Sequence, residues 1–222
     1  MKKIDVFPTL MCAFDYDRAE DFKKLFEQHY ERHGRYDEEG NFRTGEAEGF
    51  NLVHHQKEFK DFYEFISESC RAYLEELNID LSRFDVMLAK SWLSFCRNGV
   101  FVPEHSHADH HVSFIYYVDC PENCYNISFK DPLVRFNINE PFHGAFLKEN
   151  ITGSNQYNTR TCSLKPKEGS VIFFPSKLLH FAEGEEFEGI RKAIAGDFML
   201  VYNNINNKTP WGIYDQKYWR LF

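Results

Sequence analysis

No stretch of this 222-residue chain approaches the run of about 18 apolar residues that a membrane-spanning helix requires. The N-terminus, MKKIDVFPTL, lacks the long apolar segment of a secretory signal. Positive charge is in short supply as well. The formal net charge is -8, which disfavours a non-specific grip on a phosphate backbone. The six cysteines show neither metal-ribbon spacing nor a disulfide framework. Cys120 and Cys124 form an isolated CxxxC and read as reduced, packed thiols. Asn-x-Ser/Thr triplets begin at Asn126, Asn150 and Asn207, but without a secretory route they are chance matches. There is no internal repeat and no low-complexity tract. These absences point to a cytoplasmic protein with neither a membrane nor a nucleic acid as partner.

What is abundant is aromatic bulk: 23 Phe and 12 Tyr suit a β-rich core with wide packing layers. A 43% hydrophobic composition supports one domain over residues 1–222. Residues 17–33 are expected to be helical. Asp17 and Glu20 can form a capping box, Phe22, Leu25 and Phe26 share a face, and Gly34 is a stop. Residues 35–50 are polar and Gly-rich and read as a loop. A second helix is expected from Lys57 to Leu77, with Phe59, Phe62, Tyr63, Ile66, Cys70, Tyr73, Leu74 and Leu77 on one stripe. After Asn78 short apolar segments alternate with turn signals: VMLAKSWLSFC, VFVPEH, HVSFIYYV, NISF, TCSL, SVIFF, LHFAEG and KAIAGDFMLVY. Helices first and strands afterwards imply an α+β, mainly β fold. Residues 1–80 form a helical support packed on one sheet, 81–205 an antiparallel core, and 206–222 an aromatic tail.

The chemistry concentrates in HSHADHH, residues 105–111. Read as one strand from 105 to 117, His105, His107, Asp109, His111, Ser113, Ile115 and Tyr117 share a face. Val112, Phe114, Tyr116 and Val118 share the other. Two imidazoles two residues apart on a strand project together and can reach one ion. A metal with open positions needs a third ligand from elsewhere, and His180, in GSVIFFPSKLLHFAEG, is the candidate. Arg191 follows with ten residues between, which places it on an adjacent strand, near the metal but further in. An inward Arg is costly unless it meets an anion, and its fork suits a carboxylate. Ala193 and Ala195 leave room for a small ligand. His110 is expected to be structural or exposed, and His54, His55 and His143 to lie on the surface.

Taken in order, these residues resemble the iron(II)/2-oxoglutarate-dependent oxygenase superfamily, and within it a branch of phage and bacterial oxygenases. The resemblance rests on His105-x-His107 running into Ser113, Tyr116 and Tyr117. It continues through a strand opened by Gly169 and closed by Phe174-Pro175-Ser176, then His180 and Arg191. Gly99 precedes the first histidine as in prolyl-hydroxylase-like and cupin-like relatives. The likeness covers residues 85–202. It implies a double-stranded β-helix (jelly roll, cupin-like) and an oxidoreductase that uses Fe(II), 2-oxoglutarate and O2. Such an enzyme hydroxylates a C–H bond of an unidentified substrate, with release of succinate and CO2. His105 and His180 become iron ligands, Arg191 the anchor for the distal carboxylate of 2-oxoglutarate, Tyr117 a second donor to it, and Ser113 a further 2-oxoglutarate-binding residue. The superfamily usually carries a carboxylate two residues after the first ligand, where this chain has His107. Three ligand sets stay open. The first is His105, His107 and His180. The second slides the register to His107 and Asp109 with His180. In the third, Asp109 completes a site begun by His105. The first is favoured because it keeps the spacing to the Ser113–Tyr117 strand and leaves a turn at Ala108–His110. The alternative function is a cupin-like binder that holds Zn, Mn or Ni and a sugar or small acid without 2-oxoglutarate turnover; Arg191 is the feature that discriminates. Segments 35–50 and 137–158 are long enough to act as lids.

Overall fold

The computed structural model of the chain describes residues 8–33, 42–43, 52–97, 99, 101–124, 126–132, 152–153, 155, 159–182, 187–202 and 220–221. It is mainly β. Strand β1 (Cys12–Asp15) leads into helix α1 (Ala19–His33), a two-residue strand β2 (Phe42–Arg43) and helix α2 (Lys60–Glu76). Among the described residues nine strands follow: β3 (Phe84–Arg97), β4 (Val102–His105), β5 (Val112–Asp119), β6 (Ile127–Lys130), β7 (Thr161–Leu164), β8 (Ser170–Pro175), β9 (His180–Ala182), β10 (Ile190–Tyr202) and β11 (Arg220–Leu221). The larger sheet runs β1-β8-β5-β10-β3-β11, with β2 also on β3, and the smaller runs β4-β9-β6-β7. All these pairings are antiparallel.

Alternation along the strands decides what each face meets. In β5, Val112, Phe114, Tyr116 and Val118 join the core cluster that also holds Phe22, Phe26, Phe62 and Ile66 of the two helices. In β8, Val171 and Phe173 join the same cluster, whereas Ile172 and Phe174 turn the other way. They meet Tyr117, Ala193, and Ile127 and Phe129 of β6. The helices therefore cover one face of the larger sheet, and the smaller sheet packs towards the other. Ring contacts lock the helical side: Phe22 stacks on Phe62 at 4.0 Å, and Phe62 meets Tyr116 edge-on at 4.8 Å. Gly169 has φ +77°, a conformation that favours glycine, and a Cβ there would sit 2.8 Å from that of Ala19. Its backbone ties Tyr117 to Tyr16, which fixes where β8 begins.

Several expectations are corrected. The stretch 105–117 is not one strand. β4 ends at His105, a turn occupies Ala108 and Asp109, and β5 begins at Val112 in the other sheet. Residues 35–50 are not all loop, since Phe42 and Arg43 pair with Phe95 and Ser94. The second helix starts at Lys60, after a single 3-10 turn at Lys57–Phe59. His54 is buried, not on the surface, and His110 is buried too, the structural one of its two expected placements. His143, Gly34, segment 137–150 and most of the tail lie outside the described residues. No helix among the described residues is long and apolar enough to cross a membrane, and all six cysteines are free.

Candidate metal centre

The smaller sheet delivers two of the three candidate ligands. His105 ends β4, His180 begins β9, and the two are register partners in that ladder. Their rings stand 4.2 Å apart between centroids. His107 comes from the crossing segment between the sheets, and main-chain bonds fix it there. Its N–H donates to the Ser176 carbonyl at 2.8 Å, while Ser176 N–H donates to the His111 carbonyl at 3.1 Å. The His107 ring lies 5.2 Å from that of His105 and 5.1 Å from that of His180. One ligand atom from each residue falls within 4.8 Å of the others, and this is the one such cluster among the described residues. Asp109 is exposed in the turn and does not belong to it.

The hydrogen bonds choose the tautomers. His105 Nδ1 is 2.7 Å from the Pro103 carbonyl, and His180 Nδ1 is 2.9 Å from that of Leu178. His107 Nδ1 is 2.7 Å from Asp197 Oδ1. A carbonyl or carboxylate oxygen only accepts, so each Nδ1 carries the proton and each Nε2 keeps a lone pair. Burial lowers the pKa of His180 to about 4, a trend that the neighbouring His105 and His107 reinforce against the Leu178 carbonyl. It is therefore neutral at physiological pH. Three imidazoles whose Nδ1–H groups are engaged elsewhere, leaving Nε2 for a ligand bond, are a donor set for a divalent first-row metal.

A cavity of about 200 Å³ opens beside the histidines. Trp92, Ile115, Phe174 and Ala195 give it apolar walls, and Tyr117 and Arg191 also line it. Arg191 is 2% exposed and donates to Cys96 Sγ at 3.2 Å across the β3–β10 ladder. It is not on a strand adjacent to His180, as the spacing implied. β9 and β10 belong to different sheets, and the two residues line the same cavity. Tyr117 is fully buried, and its hydroxyl has no hydrogen-bond partner among the described residues. Burial holds that phenol protonated, although the Arg191 charge pulls the other way. A buried donor beside a buried guanidinium suits an anion in this cavity. Donor set and cavity together fit a divalent iron ion with a small dicarboxylate.

Ser113, expected beside the co-substrate, lies behind His107 instead. Its hydroxyl is 2.5 Å from Asp197 Oδ1 and 2.9 Å from Ser176 Oγ. Asp197 itself had no assigned role in the sequence, yet it is fully buried at the centre of this network. Lys90 Nζ is 3.1 Å from its Oδ2, and His110 Nδ1 is 3.8 Å from the same oxygen. Burial works against the Asp197 charge, but the hydrogen bond to His107 and the Lys90 ammonium hold its carboxyl below the usual range. The signal was present in the sequence: a carboxylate inside the apolar run KAIAGDFML requires buried partners.

A family model described as "Putative 2OG-Fe(II) oxygenase" matches residues 90–197. No curated protein matches the sequence significantly. Among solved structures, the chain is similar to SnoK, a non-heme alpha ketoglutarate dependent carbocyclase from nogalamycin biosynthesis. The TM-score is 0.59 at 12% identity, over 96% of this chain and 92% of that one. It is similar to a Pseudomonas putida prolyl-4-hydroxylase, with a TM-score of 0.52 at 13% identity over 86% and 92% of the two chains. It is also similar to HygX from Streptomyces hygroscopicus, solved with nickel and 2-oxoglutarate bound, with a TM-score of 0.54 at 13% identity over 86% and 83%. The chain spans 46% of the length of one solved structure it matches and 92% of two others. At these identities the likeness is one of fold. The family match and the fold together support the 2OG-Fe(II) oxygenase superfamily, whose cofactor and co-substrate are Fe(II) and 2-oxoglutarate.

Proposed function

We propose that the protein is an Fe(II)- and 2-oxoglutarate-dependent dioxygenase that hydroxylates a C–H bond of a primary substrate, on a core of the double-stranded β-helix type. The observation that carries this reading is the convergence of His105, His107 and His180 on one point of a cavity whose wall holds buried Arg191 and Tyr117. His105, His107 and His180 would hold the iron through Nε2. Bound iron with 2-oxoglutarate and O2 supplies the oxidising chemistry, and succinate and CO2 are its by-products. The chain's own residues bind and orient. The Arg191 fork takes the distal carboxylate of 2-oxoglutarate, and the Tyr117 hydroxyl donates to the same group. Ala195 leaves space for the acid's carbon chain, and Trp92, Ile115 and Phe174 keep that space dry. Solved structures of similar fold include a carbocyclase and an epimerase, so a reaction other than hydroxylation is the second reading of such a site.

A buried Arg191 in the cavity wall favours this reading over a cupin-like binder of Zn, Mn or Ni, which needs no such anchor. The test is succinate formation from 2-oxoglutarate with added Fe(II). Wild-type protein should turn over 2-oxoglutarate slowly even without primary substrate. R191A should raise the KM for 2-oxoglutarate roughly 10- to 100-fold, the loss of a charge-assisted bond pair. Wild-type protein that binds metal but yields no succinate would leave the cupin-like reading. R191A with an unchanged KM would remove the anchor role.

A further inference from the structure

Resting on that metal-centre reading, we infer that Asp197 is a positioning residue for His107. Through the His107 Nδ1–H it supplies the negative charge that a three-imidazole ligand set lacks. Three neutral imidazoles leave the full charge of a divalent ion in an apolar cavity, whereas a site with one carboxylate ligand cancels half of it. In this chain the carboxylate is present but displaced outward by one residue. His105 and His180 direct their Nδ1–H groups at main-chain carbonyls. His107 directs its own at a charged group, Asp197, at 2.7 Å. A carboxylate so placed fixes the ring and makes the other nitrogen a stronger donor.

The fold builds this contact in. Asp197 is the register partner of Lys90 on β3 and of Ser113 on β5, and the β3–β10 ladder shifts by one residue just after it. The carboxylate is fully buried, with Oδ1 facing His107 and Ser113 and Oδ2 facing Lys90. Lys90 is therefore a competitor for the charge that His107 draws on. A role that was only structural would make Lys90 a support for the site. A charge-supplying role makes it a brake on metal affinity.

Co(II) titration of the metal-free protein at pH 8, followed by visible absorption and without 2-oxoglutarate, separates these. D197N keeps the size and an acceptor oxygen but removes the charge. It should weaken Co(II) binding roughly 10- to 100-fold while circular dichroism stays native. K90M should tighten binding, a direction that damage to the fold cannot produce. Equal affinity in D197N and wild type would overturn the inference, as would K90M binding no tighter than wild type. If D197N fails to fold, K90M that binds Co(II) no tighter than wild type still overturns the inference. A wild-type protein that does not bind Co(II) at all would overturn the metal-centre reading and this inference with it. D197N at wild-type affinity would overturn the inference alone.

Discussion

At the scale of single residues, Tyr117 separates binding from stability most cleanly. Its hydroxyl is buried in the cavity wall with no partner among the described residues. An unmet buried donor costs stability, about 1–3 kcal/mol. Y117F removes that donor and nothing else. The apo protein should therefore be no less stable, as read by its urea midpoint. The KM for 2-oxoglutarate should rise roughly 5- to 10-fold, the worth of about 1–1.5 kcal/mol for one hydrogen bond. Affinity for metal should not move. A Tyr117 that served only the fold would give the reverse: a lower midpoint and an unchanged KM.

At the scale of elements, the strands were legible because each apolar segment is short, β-branched or aromatic, and bounded by turns. β3, β5, β8 and β10 lie where the pattern put them. Period-2 reading failed between His105 and Val112, because alternation in the sequence carries no mark where a chain leaves one sheet for another. The same crossing explains Ser113, whose face is right but whose neighbour is Asp197 on β10. His54 was misread for a related reason. Its partners, Ser91 at 3.0 Å and through it Tyr63, come from distant segments. Arg191 stands out as a charge in an apolar strand, and the same argument marks Asp197. Close packing around Asp197 makes its neighbour informative. A Cβ on Gly196 would sit 2.5 Å from the Phe114 ring and 2.7 Å from the Lys90 carbonyl. G196A must therefore push β5 from β10 or bend β3. A loss of roughly 1–3 kcal/mol in urea unfolding is expected, together with weaker Co(II) binding, because Lys90 and Asp197 shift with the strand. Unchanged unfolding in G196A would mean that the three strands have slack to admit a methyl group at this position.

At the scale of the whole molecule, the site depends on two sheets held face to face. His105 and His180 belong to the smaller sheet, while Arg191, Tyr117 and Asp197 belong to the larger. Packing them together buries His180 and also His110, and burial lowers the pKa of each from 6.5 to about 4. For His110 the nearby Asp197 opposes that trend without reversing it. The unfolded chain takes up these protons below pH 6.5, while the folded protein refuses them down to about 4. Stability is therefore complete above pH 6.5 and is lost as the pH falls towards 4, by at most about 3 kcal/mol for each histidine. Asp119, whose carboxyl is held below its usual range by Lys23 and Lys192 against its own burial, adds a further loss only at still lower pH. Urea unfolding of the metal-free protein at pH 8, 7, 6 and 5 should give a midpoint that is flat between the first two and drops steeply between the last two. Bound metal should raise the midpoint at pH 7 and 8 and lose its effect towards pH 5, because protons and metal compete for the same lone pairs. A midpoint that stayed constant from pH 7 to pH 5 would mean that His110 and His180 are open to water, and that the two sheets do not close over the site.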